Sequence, residues 1–251
     1  MIDGFTYSDS REISSRVLAI LHMLKPYSVK GYTKVRVGGE NDGGYVMLDD
    51  FANISAAYSL GINNDVEWDM SIAERGINIY QYDHTINGLP KDHPLFHWRK
   101  VGIGEGENLS HLDKIIDDDG FSGHNNLILK CDIEGCEWLM LAQLPAKTLE
   151  QFRQITMEMH GFGHIDQADY ANLILDAVTA ITKLHRVVHV HANNNSAYCI
   201  VGGVPIPATL EITFARIDSY DLEPSQETFP TDLDSPCFPG RADYSLGKFV
   251  F

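Results

Sequence analysis

Five short apolar runs in this chain stop at small or polar residues, and helical patterns lie between them. Ala56-Ala57-Tyr58-Ser59-Leu60 leads into Gly61-Ile62-Asn63-Asn64, and residues 77–82 stop at Asp83. Residues 96–101 precede Gly102-Ile103-Gly104, residues 126–131 end at Asp132, and residues 154–159 run into His160-Gly161. The segments 67–75, 109–116, 138–144 and 168–184 space their apolar residues as helices do. Such alternation predicts an α/β fold with a mostly parallel sheet and helices on both faces. Residues 187–191 and 209–214 supply two more strands.

Ahead of this block, residues 10–24 read as a helix. Residues 34–39 and 45–48 read as strands joined by Asn41-Asp42-Gly43-Gly44, a hairpin turn tolerant of positive φ. From residue 218 the chain is rich in proline and acid and reads as extended. No linker composition interrupts 1–251, so a single domain is expected, with the helix and hairpin at about 1–50 and the tail at about 218–251.

Charge narrows the partners. The chain carries 19 Lys+Arg against 35 Asp+Glu, a net −16, which opposes association with nucleic acid or anionic lipid. No run is long enough to span a bilayer, and Met1-Ile2-Asp3-Gly4 lacks a basic leader pattern, so a cytoplasmic protein without membrane insertion is expected. Cys131, Cys136, Cys199 and Cys237 form no Cys-x-x-Cys pair and read as reduced thiols. A homodimer is the general expectation for soluble enzymes.

In an open α/β sheet, ligands sit beyond the carboxyl ends of the strands. Gly61 would let backbone approach a ligand there, and Asp83 would accept from a ribose diol; a tight turn and a solvated aspartate are the plainer alternatives. Neither Gly-x-Gly-x-x-Gly nor a triphosphate loop is present. Asp132 and Glu134 follow a buried strand and need a compensating cation, substrate or helix N-terminus, although Glu134 also reads as a helix cap. Glu158 and His160 share one side of their strand, as do His189 and His191. His160 suits a general base or a metal ligand, whereas His189 and His191 also fit as core histidines. Asn193-Asn194-Asn195 reads as a turn whose amides could hold a polar substrate.

Taken together, Asn41-Asp42-Gly43-Gly44-Tyr45-Val46, Ala57-Tyr58-Ser59-Leu60-Gly61-Ile62, Tyr80-Gln81-Tyr82-Asp83, the run from Leu129 to Trp138 and Met157-Glu158-Met159-His160 resemble the FkbM-like S-adenosylmethionine-dependent methyltransferases. The most specific element is Lys-x-Asp-Ile-Glu-Gly-x-Glu, from Lys130 to Glu137, and the resemblance covers roughly residues 35 to 215. It implies a class I methyltransferase (Rossmann-like) fold, a seven-stranded sheet with its last strand antiparallel, and O-methylation of a small molecule or saccharide in polysaccharide or natural-product modification. Carried over by position, the turn Ser59-Leu60-Gly61 would hold the methionine part of the cofactor, Asp83 its ribose and Ile103 its adenine, with Asn63 also among the cofactor-binding residues. Asp132 would lie nearest the methyl group.

The expected catalytic residues are Asp132, His160 and Glu134, with His160 or Asp132 as the base. Those three are also the candidate ligands for a divalent Mg²⁺ or Mn²⁺ ion. Asp42, Gly43, Glu158, His191 and Asn193 are the expected acceptor-binding residues. An NAD-linked oxidoreductase is the first alternative, since an acid after the second strand suits either ribose. A non-catalytic binding module of the same fold is the second.

Overall fold

The computed structural model describes residues 5–251; Met1 to Gly4, read above for a leader pattern, lie outside them. In chain order the first half comprises α1 (Arg11–Met23), β1 (Tyr27–Val29), β2 (Lys34–Val37), β3 (Tyr45–Leu48), β4 (Ala56–Leu60), α2 (Glu67–Ala73), β5 (Ile79–Tyr82), β6 (Phe96–Arg99), β7 (Gly102–Ile103), β8 (Leu109–Ser110) and α3 (Leu112–Asp118). The second half comprises β9 (Leu127–Cys131), α4 (Glu137–Gln143), α5 (Ala146–Leu149), β10 (Phe152–Met159), α6 (Ala168–Thr182), β11 (His185–Ala192), β12 (Tyr198–Val201), β13 (Val204–Pro207), β14 (Leu210–Arg216) and β15 (Leu222–Pro224). Among the described residues, no helix is long and apolar enough to cross a membrane.

Seven strands form one mixed sheet in the order β11-β14-β10-β9-β4-β5-β6. From β10 to β6 the neighbours run parallel, and β14 is antiparallel to both β10 and β11. The chain enters at β4, moves outward to β6, then crosses back to β9 on the other side of β4. Strand order therefore reverses between β4 and β9, and crossovers leaving in opposite directions open a crevice at their carboxyl ends.

One face matches the expected helical cover. Leu127, Leu129 and Cys131 of β9 and Ile155, Met157 and Met159 of β10 bury against apolar residues of α1, α3, α4 and α6. The other face also carries a helix, but only over part of its width. There α2 covers β4 and β5 through Trp68 and Ile72, which meet Ala57 and Ile79. Over β10 and β14 lies the β2–β3 hairpin instead. Gln154 Oε1 accepts from Leu48 N at 2.9 Å, and the Thr213 hydroxyl donates to Val46 O at 2.7 Å. Outward residues of these strands are polar and fully buried, so they need hydrogen-bonding backbone that the apolar stripe of a helix would not supply.

Two further differences are local. The helix expected from residue 109 starts at Leu112, because Leu109 and Ser110 pair with Gly102 and Ile103 as a short parallel ladder. The tail is largely irregular, but β15 pairs with β1, and Asp234 and Asp243 fasten the tail to His189 and His191 of β11.

Candidate functional site

A cavity of about 780 Å³ opens where the strand order reverses. Its walls come from the loops after β4, β5, β9 and β11, from the end of β10 and from the hairpin turn at Asp42 and Gly43.

The loop after β4 depends on Gly61. Its φ is +75°, and a Cβ there would lie 1.6 Å from the Asp132 carbonyl oxygen, so only glycine lets the ends of β4 and β9 come this close. Lys130 spans the same junction, its Nζ donating to the Gly61 carbonyl. Asp83 holds the rest of the loop. Its Oδ2 accepts from Ile62 N at 2.9 Å and Asn63 N at 2.8 Å, and its Oδ1 accepts from Thr85 N at 2.7 Å and Thr85 Oγ1 at 2.6 Å. Burial pushes the Asp83 carboxyl up, but these hydrogen bonds outweigh it and leave the group below its usual range. A carboxylate offers about four lone-pair sites, and all of them are used by the chain itself. Asp83, expected above as a ribose acceptor, thus lines the cavity and also clamps its loop. Asn63 sits in the loop at φ +50°, and Ile103 lines the same cavity. Ser59 is not brought to the cavity: its side chain is fully buried on β4.

Acidic groups gather at the other end. Asp132, Glu158 and His160 each place a ligating atom within 4.8 Å of the others. His160 is fixed from behind. Its Nδ1 lies 3.2 Å from Oε1 of Glu137, its carbonyl accepts from Trp138 Nε1 at 2.6 Å, and Gly161 turns the chain away at φ +84°. Glu137 is fully buried and also accepts from Ile133 N at 2.9 Å and Gly135 N at 3.0 Å. It therefore ties the loop after β9 to the end of β10. Glu134 is turned outward at φ +57°; its side chain is 83% exposed and its Oε2 lies 3.9 Å from His160 Nε2.

The carboxylates in this end crowd one another. Burial pushes Glu158 well above its ordinary value, and the charges of Asp132, Glu211 and Asp42 add to that, against a hydrogen bond from Asn193. Asp42 is pushed up to about 6 by burial and then by Glu211 and Asp132. Asp132 Oδ1 and the Tyr45 hydroxyl are buried there without a hydrogen-bond partner.

Of the expected acceptor-binding residues, Asp42, Gly43, Glu158 and Asn193 line the cavity. His191 does not. It is buried beneath the tail, with Nδ1 2.7 Å from Glu211 Oε2 and Nε2 2.9 Å from Asp243 Oδ2. Burial alone would lower its pKa, yet the two carboxylates raise it to about 10, so it is an imidazolium latch. The sequence reading missed the roles of Glu137, Lys130 and Thr85. Only Glu137 and Lys130 carried a signal, as members of the Lys130–Glu137 motif.

The arrangement offers a glycine-turned loop of fixed backbone on one side and, on the other, two carboxylates and an imidazole close enough together that they could hold a cation. No family model matches the chain. Among curated proteins it is similar to Probable methyltransferase-like protein 24 of Homo sapiens, with 28% identity over 138 residues. The match covers 46% of this chain and 37% of that protein.

Proposed function

We propose that this chain is an S-adenosylmethionine-dependent methyltransferase that modifies a hydroxyl of a small molecule or saccharide. The observation that carries the reading is the crevice between β4 and β9, with Gly61 and the Asp83-clamped loop on one flank and Asp132, Glu158 and His160 on the other. The similarity to a human methyltransferase-like protein supports the methyltransferase part. The strand order, with an antiparallel seventh strand between the fifth and sixth, supports a class I, Rossmann-like assignment. The Lys130–Glu137 motif supports the FkbM-like branch, and with it a saccharide or natural-product acceptor.

The cavity's size and its graded lining fit the cofactor, with Gly61, Asn63 and Ile103 on the flank that would hold it. When bound, it supplies a methyl group on a sulfonium, already electrophilic. What remains for the chain is to orient the acceptor and accept a proton. Asp83 fixes the amides of Ile62 and Asn63, so the loop needs no reorganisation on binding. Asp42, Gly43 and Asn193 line the cavity, and in this reading they orient the acceptor. The hydroxyl proton would pass to Asp132 or to His160 Nε2, the second being the acceptor nitrogen when Glu137 takes the proton on Nδ1.

The test is release of S-adenosylhomocysteine against a panel of saccharides and hydroxylated small molecules. Turnover with one class is expected, falling at least about 100-fold in Asp132→Asn and His160→Ala, the usual reach of general-base catalysis. Full turnover in both variants would overturn the assignment of the cluster.

A further inference from the structure

We propose that Asp132, Glu158 and His160 form a divalent-cation site open to the cavity, suited to a first-row ion such as Mn²⁺, which binds the acceptor through two adjacent oxygens. The acceptor part rests on the methyltransferase reading; the cation site does not.

Three independent features converge. First, spacing: His160 Nε2 lies 3.9 Å from Glu158 Oε1, and all three ligating atoms fall within 4.8 Å of each other. These separations exceed a hydrogen bond but match donors grouped around one ion at roughly 2.0–2.3 Å each. Second, orientation: Glu137, wholly buried, takes His160 Nδ1 and aims Nε2 toward the carboxylates, the carboxylate–histidine pairing that supports metal-bound imidazoles. Glu158 is braced likewise, because Asn193 Nδ2 donates to its Oε1. Third, Asp132 Oδ1 is buried without a partner in a cluster that also contains Glu158, an arrangement a cation would satisfy.

The donor set narrows the ion to the first-row divalent series. Two carboxylates with one imidazole suit Mn²⁺ better than Ca²⁺ or Mg²⁺, which favour oxygen alone. Three protein donors leave about three positions of an octahedron facing the cavity, room for a vicinal diol or a hydroxy acid. Glu134, expected from the sequence as a ligand, gives its place to Glu158, which is buried where Glu134 is exposed. With Nε2 on the ion, the proton falls to the Asp132 oxygen that does not ligate. A second group, His191, Glu211 and Cys237, is also compact, but both ring nitrogens of His191 are already bonded to carboxylates, so that group is closed.

The test is Mn²⁺ binding by the full chain, followed by electron paramagnetic resonance, with Asp118→Asn as a surface control for a protein of net charge −16. One bound ion is expected, weakened at least tenfold in Glu158→Gln and Asp132→Asn, by roughly 10- to 100-fold in Glu137→Gln, and unchanged in the control. Paramagnetic broadening of the His160 ring resonances in the unaltered chain reads the same site without any variant. Equal affinity in Glu158→Gln and Asp132→Asn, or an unbroadened His160 at saturating Mn²⁺, would overturn the proposal. A calorimetric titration with S-adenosylmethionine separates the two readings: cofactor binding without Mn²⁺ binding removes the site alone, and the reverse removes the methyltransferase reading alone.

Discussion

His160 Nδ1 and Glu137 Oε1 lie 3.2 Å apart, and that contact joins the loop after β9 to the end of β10. Glu137 holds the loop's amides and the histidine with one carboxylate, so the geometry of Asp132 and His160 is a single unit. Glu137→Gln keeps one accepting oxygen and puts an NH₂ in place of the other. Turnover should drop at least about tenfold, with an altered pH profile, because His160 loses its fixed tautomer. Glu137→Ala should in addition lose about 1–3 kcal/mol of stability through orphaned amides, measured by urea unfolding. An unaltered pH profile in Glu137→Gln would show that the pair is structural only.

Asp83 is expected to act through the loop. Asp83→Asn places an amide against donors from Ile62, Asn63 or Thr85, so the ligand-free protein should lose about 1–3 kcal/mol while cofactor affinity falls. If cofactor affinity fell with an unchanged ligand-free melting temperature, Asp83 would be a direct ribose contact instead.

Gly61→Ala combines left-handed strain of roughly 1–2 kcal/mol with a clash on the Asp132 carbonyl. Gly120 also has positive φ, +84°, but nothing lies within 4 Å of a Cβ there. Gly61→Ala should therefore abolish cofactor binding or folding, whereas Gly120→Ala costs only the strain; similar melting temperatures for the two would contradict the close approach.

The tail latch gives a pH dependence of definite sign. Folding raises the His191 pKa from 6.5 to about 10, so the folded chain holds this proton more tightly. Its stabilisation is complete below about pH 6.5 and is lost as pH rises toward 10. The melting-temperature advantage of the wild type over His191→Gln should shrink across that window. An advantage that grows with pH would mean the histidine is neutral in the fold.

Much of this could be read in the sequence because parallel strands bring their carboxyl ends to one edge. Gly61, Asp83, Asp132 and His160 each follow a strand, so topology alone collects them. What could not be read depends on long-range cover. Period-two spacing places His189 and His191 on one side, but nothing local says that Asp234 and Asp243 lie over them. Glu137 reads locally as an acid in the first turn of a helix, and only the fold turns it inward. The divided second face did leave a trace: Gln154, Thr156 and Glu158 alternate with Ile155, Met157 and Met159, a pattern with one apolar side rather than two.

The most direct measurement is a calorimetric titration of the purified chain with S-adenosylmethionine and S-adenosylhomocysteine, with NAD as the control ligand. Micromolar binding of the first two and none of NAD is the expected result. Binding of NAD in their place, or of none of the three, would contradict the methyltransferase assignment.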